Sequence, residues 1–596
     1  MSLLPHKVIE QRLRQALVAV LPEADTSAVF VRPCPDPAFG DYQTNALMPL
    51  AKARGLDPRR LAPAVLAKLD VAGWCEPVQI AGPGFLNFRL QTGALARTLQ
   101  AAARGEHLFF DQSPQPRTVV VDFSSPNTAK PMHVGHIRST ILGDCLARVL
   151  RLLGHHVITD NHLGDWGTQF GMLLLGWKTE LDSARLQTDP LGELERLYKL
   201  INARCEPDNP QFDPATRERA RAELVQLQAG DATNLAIWRD IIRLSQSQFD
   251  SLYARLGVRF DYTLGESFYN PQLKATVQDL LRRGIAAESR GAIAVLSDGS
   301  LPPKEDPFLV HREGQWVANP FLVQKSDGAF NYATTDLATL AYRTQTWRAD
   351  EVIYVTDRRQ QLHFQQLFAT FRRWHPEARA KLAHVWFGSI LGEDGKPFKA
   401  RSGQAIRLAE LLDEAEDRAF RVVSDKSPEL PESQRRQIAR IVGIGAVKYA
   451  DLLSNRQSDY VFSWDKLLAL NGNTAPYLQY AYARIRSIFR KGGLEAAPAP
   501  GPDAQLGLSA PEETALARRL LDFGLVLEAV AEEYRPNFLC NYLFELAGRF
   551  TAFYENCPVL NSPPAQRAAR LVLCELTARV LKQGLEVLGL ETLGQM

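Results

Sequence analysis

The residues best suited to chemistry lie in the run Ser124-Ser125-Pro126-Asn127-Thr128-Ala129-Lys130-Pro131-Met132-His133-Val134-Gly135-His136. A β-branched segment, Thr118 to Phe123, precedes it, and an apolar pattern of helical period, Ile137 to Leu153, follows. The histidines therefore stand at a helix start, where free backbone N–H groups and the positive end of the helix dipole favour phosphate. Gly135 lets a nucleotide approach the backbone closely, and His133 and His136, three apart, share a face. Their ring N–H groups could stabilise charge developing at an α-phosphate under attack. Taken by itself, the tetrapeptide reads more readily as a histidine pair satisfied within its own helix start.

Far downstream, Leu391-Gly392-Glu393-Asp394-Gly395-Lys396-Pro397-Phe398-Lys399-Ala400-Arg401-Ser402-Gly403 is a glycine-flanked loop with several cations. Such a loop can clamp the β and γ phosphates of ATP while pyrophosphate leaves; alone, it reads as solvated surface. Paired in this order with His133-Val134-Gly135-His136, it resembles the second signature of class I aminoacyl-tRNA synthetases. Four further stretches narrow the resemblance to arginyl-tRNA synthetases. They are the Ser-Pro-Asn-x-Ala-Lys-Pro run from Ser125 to Pro131, Asn161 to Gly171, Tyr332-Ala333-Thr334-Thr335-Asp336, and Gly472 to Ala481. The likeness extends from Phe39-Gly40-Asp41-Tyr42-Gln43 to the terminal Leu593-Gly594-Gln595-Met596.

The resemblance implies an ATP site at Ser124, His133, Gly135, His136, Phe387, Gly388, Lys396 and Lys399. It also implies an arginine site at Asp122, Asn127, His133, Tyr332, Asp336 and Gln366. A guanidinium is a planar fork of donors, best met by carboxylates and neutral acceptors. Asp336 would take the guanidinium, with Tyr332 four residues away on the same helical face and Gln366 beside them. Asp122 and Asn127 would hold the α-amino end and backbone of the amino acid. One departure stands out. If Pro397-Phe398-Lys399-Ala400-Arg401 is the aligned pentapeptide, Ala400 occupies the place of the usual signature lysine. In this family a lysine just before the histidine motif is thought to substitute, and Lys130 occupies that place. The expected catalytic set is therefore Lys130, His133, His136, Lys399 and Arg401, with Lys396 assisting.

These residues need positioning elements. Short strands separated by helices (Thr118–Phe123, His156–Thr159, Val352–Val355, His384–Phe387) suggest an α/β Rossmann-like, doubly wound parallel sheet whose ligand lies beyond the strands' carboxyl ends. We assign residues 111–175 and 320–405 to this catalytic domain and 176–319 to an inserted, mainly helical domain. Residues 1–110 read as an α+β N-terminal domain. Residues 406–596 read as an all-α domain, interrupted by an Ala/Pro/Gly-rich stretch near Gly492–Asp503. In the helical domain Tyr477, Tyr480 and Tyr482 lie beside Arg484, Arg486, Arg490 and Lys491, a mixture able to stack bases and track phosphate. By resemblance this domain binds the anticodon, through Tyr477, Gln479, Tyr480 and Arg484. The N-terminal domain would touch the tRNA through Tyr42, Gln43 and Asn45, with Phe39 alongside.

Composition sets outer bounds. The 596 residues require several domains, and a net charge of +2 from 69 basic and 67 acidic side chains neither demands nor excludes a nucleic acid. Seven scattered cysteines, with no CxxC pair, suit reduced thiols and disfavour a zinc or iron–sulfur site. The N-terminus lacks a secretory pattern and no apolar run is long enough for a membrane. The expectation is a cytoplasmic, monomeric enzyme acting on arginine, ATP with Mg2+, and arginine tRNA, with no metal site of its own. Two rivals share parts of this pattern. A nucleotidylyltransferase without tRNA shares the histidine element but not the Gly472–Ala481 region. A silent RNA-binding paralogue has no need of intact His133, Gly135 and His136.

Overall fold

The computed structural model describes residues 4–398, 406–497, 501 and 506–595. The chain forms two compact units: Met1–Ser113 with Ala469–Met596, and Pro114–Leu468.

The second unit is built on four parallel strands in the spatial order Lys381–His384, Glu351–Tyr354, Thr118–Asp122, His156–Asp160. Chain order reverses direction between Thr118–Asp122 and Glu351–Tyr354, which creates the crevice at which doubly wound sheets bind ligands. Register aligns Asp160, Asp122, Tyr354 and His384 in one row across the carboxyl edge. The central strands are buried on both faces, as their β-branched runs require. Helices Tyr332–Gln345 and Gln361–Trp374 pack Leu337, Leu340, Leu367 and Phe371 against Val120 and Val352 of the sheet. The histidine helix, Val134–Leu152, covers the turn after the first strand. Its Gly143 sits flush on the Phe123 ring, leaving no room for a Cβ.

Two expectations are modified. The inserted segment is helical as far as Arg282 but then becomes β: Ala292–Val295 pairs with Ala286–Ser289 on one side and Phe321–Gln324 on the other, and Leu309–Arg312 pairs with Gln315–Ala318. Secondly, helices Leu408–Lys426 and Glu432–Leu453, grouped from sequence with the C-terminal helices, lie in the second unit. The reason is a set of polar ties. Lys448 Nζ donates to Leu256 O at 2.7 Å, and Arg255 meets Glu416 at 2.8 Å. Arg138 and Asp451 form a buried ion pair at 2.7 Å. Arg138 also donates to Gly388 O and Ser458 O, so one side chain joins the histidine helix, the loop after the last strand and a later helix.

In the first unit a four-stranded antiparallel sheet (Arg32–Pro33, Tyr42–Thr44, Phe85–Phe88, Gln79–Ala81) is joined to the helices from Ala475 to Val587. Asp41 pairs with Arg518 at 2.9 Å, Lys7 pairs with Glu528 at 2.6 Å, and Gly524 abuts the Phe109 carbonyl too closely for any Cβ. No described helix is long and apolar enough to cross a membrane.

Removing Arg138 strands a buried carboxylate. Arg138→Leu is expected to destabilise the second unit by about 3–5 kcal/mol, read as a lower urea midpoint with an unchanged slope. An unaltered midpoint would contradict the assignment of Arg138 as the clamp.

Candidate active site

The site begins with a backbone that bends sharply as it leaves the first strand. Ser124, Ser125 and Ala129 all have left-handed φ, at 71°, 47° and 62°. Such conformations cost on the order of 1–3 kcal/mol each and persist only where neighbours hold them. Here Ser139 Oγ accepts from Ser124 N, Asn161 Oδ1 from Ser125 N, and Ser245 Oγ from Ala129 N. The hydroxyl of Ser124 is enclosed between Tyr253 and Thr140. Ser124, expected at ATP, is thus a buried brace of the turn. Asn127 stays exposed beside Gly164, where no Cβ would fit, and Thr128 bonds the Gly164 carbonyl through both N–H and hydroxyl.

The bend delivers His133 to the N-cap. His133 Nδ1 accepts from Gly135 N at 3.0 Å, and His136 Nδ1 accepts from His133 N at 3.1 Å, a capping box made of two imidazoles. Because a backbone N–H can only donate, both rings carry their proton on Nε2. Burial pushes the pKa of His136 down to about 3, with His133 adding to the effect. Burial and then Arg359 depress that of His133, opposed by Glu195. The pair is therefore neutral at physiological pH, a fork of Nε2–H donors over the helix start. Gly135 is required here because the His133 ring folds back over it, 2.8 Å from where a Cβ would sit.

Around this cradle, Ile406 O accepts from Val134 N and Leu408 N donates to Met132 O, so the exit of the cationic loop is tied beside His133. Lys130 rests on the Tyr198 ring at 4.6 Å. Lys396 is exposed on the turn that Gly392 N closes onto Lys396 O. Lys399, Ala400 and Arg401 lie outside the described residues. Phe387 and Gly388, expected at ATP, are buried: Phe387 lies under Arg138, and Gly388 is pressed on Asp459 and Ser458.

Below the cradle lies a charged floor. Arg343, fully buried, reaches Asp122 and Asp160 at 2.7 Å each and lies over the Tyr354 ring. Two carboxylates against one guanidinium leave excess negative charge, and burial raises the pKa of Asp160. Ser125 Oγ donates to the other oxygen of Asp122. Asp122 is thus a floor residue with both oxygens engaged.

Arg343 belongs to the same helix as Tyr332 and Asp336. Asp336 Oδ2 lies 2.6 Å from His363 Nε2, and the His363 ring meets Tyr332 edge-on at 4.9 Å. Tyr332 is 62% exposed at the mouth. Asp336 and Asp122 both raise the pKa of the buried Tyr354, after burial itself. Glu266 opens helix Glu266–Arg282 and is half-buried. Burial first, then Asp336 and Asp165, raise its pKa to about 7, against His162. Gln366 is buried and donates to Pro307 O and Asn319 O, which makes it an anchor for the inserted β hairpin. His363, Glu266, Arg343 and Asp160 went unnoticed in the sequence. His363, three residues before Gln366 on one helix, carried the only local signal.

In the first unit, Tyr477, Tyr480 and Arg484 share one face of helix Ala475–Lys491. Tyr480 is 49% exposed, Tyr477 meets Phe544 at 5.6 Å, and Arg484 lies over Tyr554 at 4.6 Å. Gln479 is fully buried, its amide donating to Glu591 O, and Tyr42 is 2% exposed against His6. Neither can face a partner: both point inward where their neighbours point out. Gln43 is half-buried and Asn45 exposed.

Three family models match the chain. Residues 98–464 match the class I (R) tRNA synthetase catalytic domain, 478–596 the DALR anticodon binding domain, and 7–90 the arginyl-tRNA synthetase N-terminal domain. The arginine–tRNA ligase of Synechococcus elongatus is 46% identical, covering 99% of this chain and 100% of the relative. That of Azotobacter vinelandii is 47% identical, covering 99% of both. Among solved structures, Thermus thermophilus arginyl-tRNA synthetase superposes with a TM-score of 0.82 at 26% identity, covering 99% of this chain and 100% of that one. The Plasmodium falciparum enzyme gives 0.79 at 29%, covering 99% of both.

The slot's electrostatics can be read directly. Carbon-detected NMR of the free protein is expected to show Glu266 titrating near pH 7, and Asp336→Asn to move it lower. Since its folded pKa exceeds the ordinary 4.5, Glu266 contributes stability below pH 4.5 that is lost as pH rises to about 7. Glu266→Gln should remove that loss. Titration at the ordinary carboxylate value would show that the slot is not closed.

Proposed function

The chain belongs to the arginyl-tRNA synthetase family of class I enzymes, and we propose that the crevice between its two central strands is where arginine meets ATP. The activity is ligation of arginine to tRNA. Arginine's carboxylate attacks the α-phosphorus of ATP, giving arginyl-adenylate and releasing pyrophosphate. The terminal ribose hydroxyl of tRNA then attacks the acyl carbon and AMP leaves. Neither step needs an enzyme nucleophile; orientation and charge stabilisation supply the rate.

In this reading the Nε2–H groups of His133 and His136 face the α-phosphate, and Gly135 makes room for it. Being neutral, they donate without adding a charge that would bind ATP and transition state alike. Lys130, with Lys396, Lys399 and Arg401, meets the departing pyrophosphate, standing in for the lysine absent at Ala400. Magnesium accompanies the β and γ phosphates as part of the nucleotide.

Asp336, Tyr332 and Glu266 take the guanidinium, while Asn127 and the negative floor around Asp122 receive the α-ammonium. Gln366 frames the slot through the hairpin it anchors. What supports the reading is the sheet edge itself, where buried Arg343 ties Asp122 and Asp160 to the helix that carries Tyr332 and Asp336. Tyr477, Tyr480 and Arg484 form an anticodon-facing patch, with Gln43 and Asn45 a second tRNA contact. Adenylate formation that waits for tRNA, a monomeric state and a cytoplasmic location accompany this reading as expectations of the family.

Charging of tRNA assayed with each of the twenty amino acids should give product with arginine alone; charging of another amino acid would overturn the slot assignment. The KM for arginine should fall as pH rises through about 7, because Glu266 must release its proton to meet the guanidinium. Glu266→Gln should flatten that profile and raise KM roughly ten- to a hundredfold, the loss of one charged hydrogen bond. In ATP–pyrophosphate exchange with tRNA present, Lys130→Ala should lower the rate on the order of a hundredfold with little change in the KM for arginine. Normal exchange would show that Lys130 does not replace the missing signature lysine.

A further inference from the structure

His363 lies in the arginine slot without belonging to any motif that led there. Its Nε2 is 2.6 Å from Asp336 Oδ2. Aromatic rings surround the imidazole: Tyr332 at 4.9 Å, Phe364 at 5.3 Å and Phe321 at 5.6 Å. These rings come from three separate elements, the strand Phe321–Gln324 and the helices Tyr332–Gln345 and Gln361–Trp374. The imidazole is thus oriented by packing, and its polar partner among the described residues is Asp336.

A carboxylate on a helix face turns freely about its terminal torsion, which has no sharp preference. A guanidinium fork requires the carboxylate in its own plane to make two parallel bonds. We propose that His363 is the positioning residue of the guanidinium slot. Its Nε2–H donates to one lone pair of Asp336 Oδ2 and fixes the plane of the carboxylate, leaving Oδ1 and the second lone pair of Oδ2 for the incoming guanidinium. His363 does not touch the reacting atoms and acts on arginine only through Asp336. The inference rests on Asp336 being the guanidinium carboxylate.

Steady-state aminoacylation with full-length protein and tRNA tests it. His363→Ala should raise the KM for arginine roughly tenfold, as loss of an orienting partner does, while the KM for ATP stays within about twofold. His363→Gln, whose amide N–H reaches a similar point, should recover most of the arginine KM. In an Asp336→Asn background His363→Ala should add little, because the group it orients has lost its charge. An unchanged arginine KM in His363→Ala, additive losses in the double variant, or a parallel rise in both KM values that Gln does not repair would each overturn the proposal. Asp336→Asn alone separates the two levels. If it leaves the arginine KM unaltered, the slot assignment itself fails; if it raises that KM while His363→Ala does not, only the role of His363 fails.

Discussion

The buried meeting of Arg343 with Asp122 and Asp160 is the interaction on which the site depends. Those carboxylates are the last residues of adjacent parallel strands, aligned by register, and the guanidinium closes both from below. Buried ion pairs contribute little net stability, because desolvation offsets most of the Coulomb gain, but removing one partner is costly. Arg343 therefore acts chiefly by making one alignment of helix and sheet far better than its neighbours. That alignment reaches beyond the floor. The helix carrying Arg343 presents Tyr332 and Asp336 at its other end, so docking Arg343 under the strands also aims the slot.

The same sheet edge launches the strained turn, and the two features are linked through Asp122. Ser125 sits at positive φ and donates to the Asp122 oxygen that Arg343 does not take. The strain of Ser124, Ser125 and Ala129 is held by four partners from three parts of the fold: Ser139, Asn161, and Tyr253 with Ser245 on one helix. What this achieves is an abrupt entry into the next helix, with His133 in extended backbone and both imidazoles folded onto the first free N–H groups. The rings gain fixed tautomers from a helix start that would otherwise expose unpaired donors.

Local chemistry was legible in the sequence and long-range adjacency was not. The histidine pair could be placed because strand, loop and helix follow one another directly, and Tyr332 and Asp336 because four residues make one helical face. Gln366 and His363 show the limit. Both lie on helix Gln361–Trp374, but its apolar residues turn Gln366 toward the core with Phe364 and Leu367, leaving His363 to face Asp336. Glu266 lies 70 residues from Asp336 in sequence, and no periodicity joins the two. Tyr42 and Gln479 failed for the opposite reason: an aromatic on a short strand and an amide on an amphipathic helix look like surface until alternation or helical phase buries them. The β segment in the inserted domain was hidden because Ala286-Ala287-Glu288-Ser289 lacks the branched residues that mark a strand.

In the proposed reading an acidic slot poses a difficulty when it stands empty, since two half-buried carboxylates repel each other. The raised pKa of Glu266 resolves it. With its pKa raised to about 7, Glu266 is partly protonated near neutral pH when no substrate is bound, which weakens the repulsion. A guanidinium entering the slot displaces that proton and restores both carboxylates, so the full field exists only around the ligand it suits. An ammonium on a shorter stem reaches one carboxylate and cannot bridge both in a plane. A neutral isostere would leave Asp336 without the two charged hydrogen bonds of a guanidinium, the kind of loss that gives large discrimination without a proofreading site. Selectivity therefore arises from the same burial that holds Arg343 beneath the strands. The floor has its cation built in as Arg343, whereas in the proposed reading the slot receives its cation from the substrate.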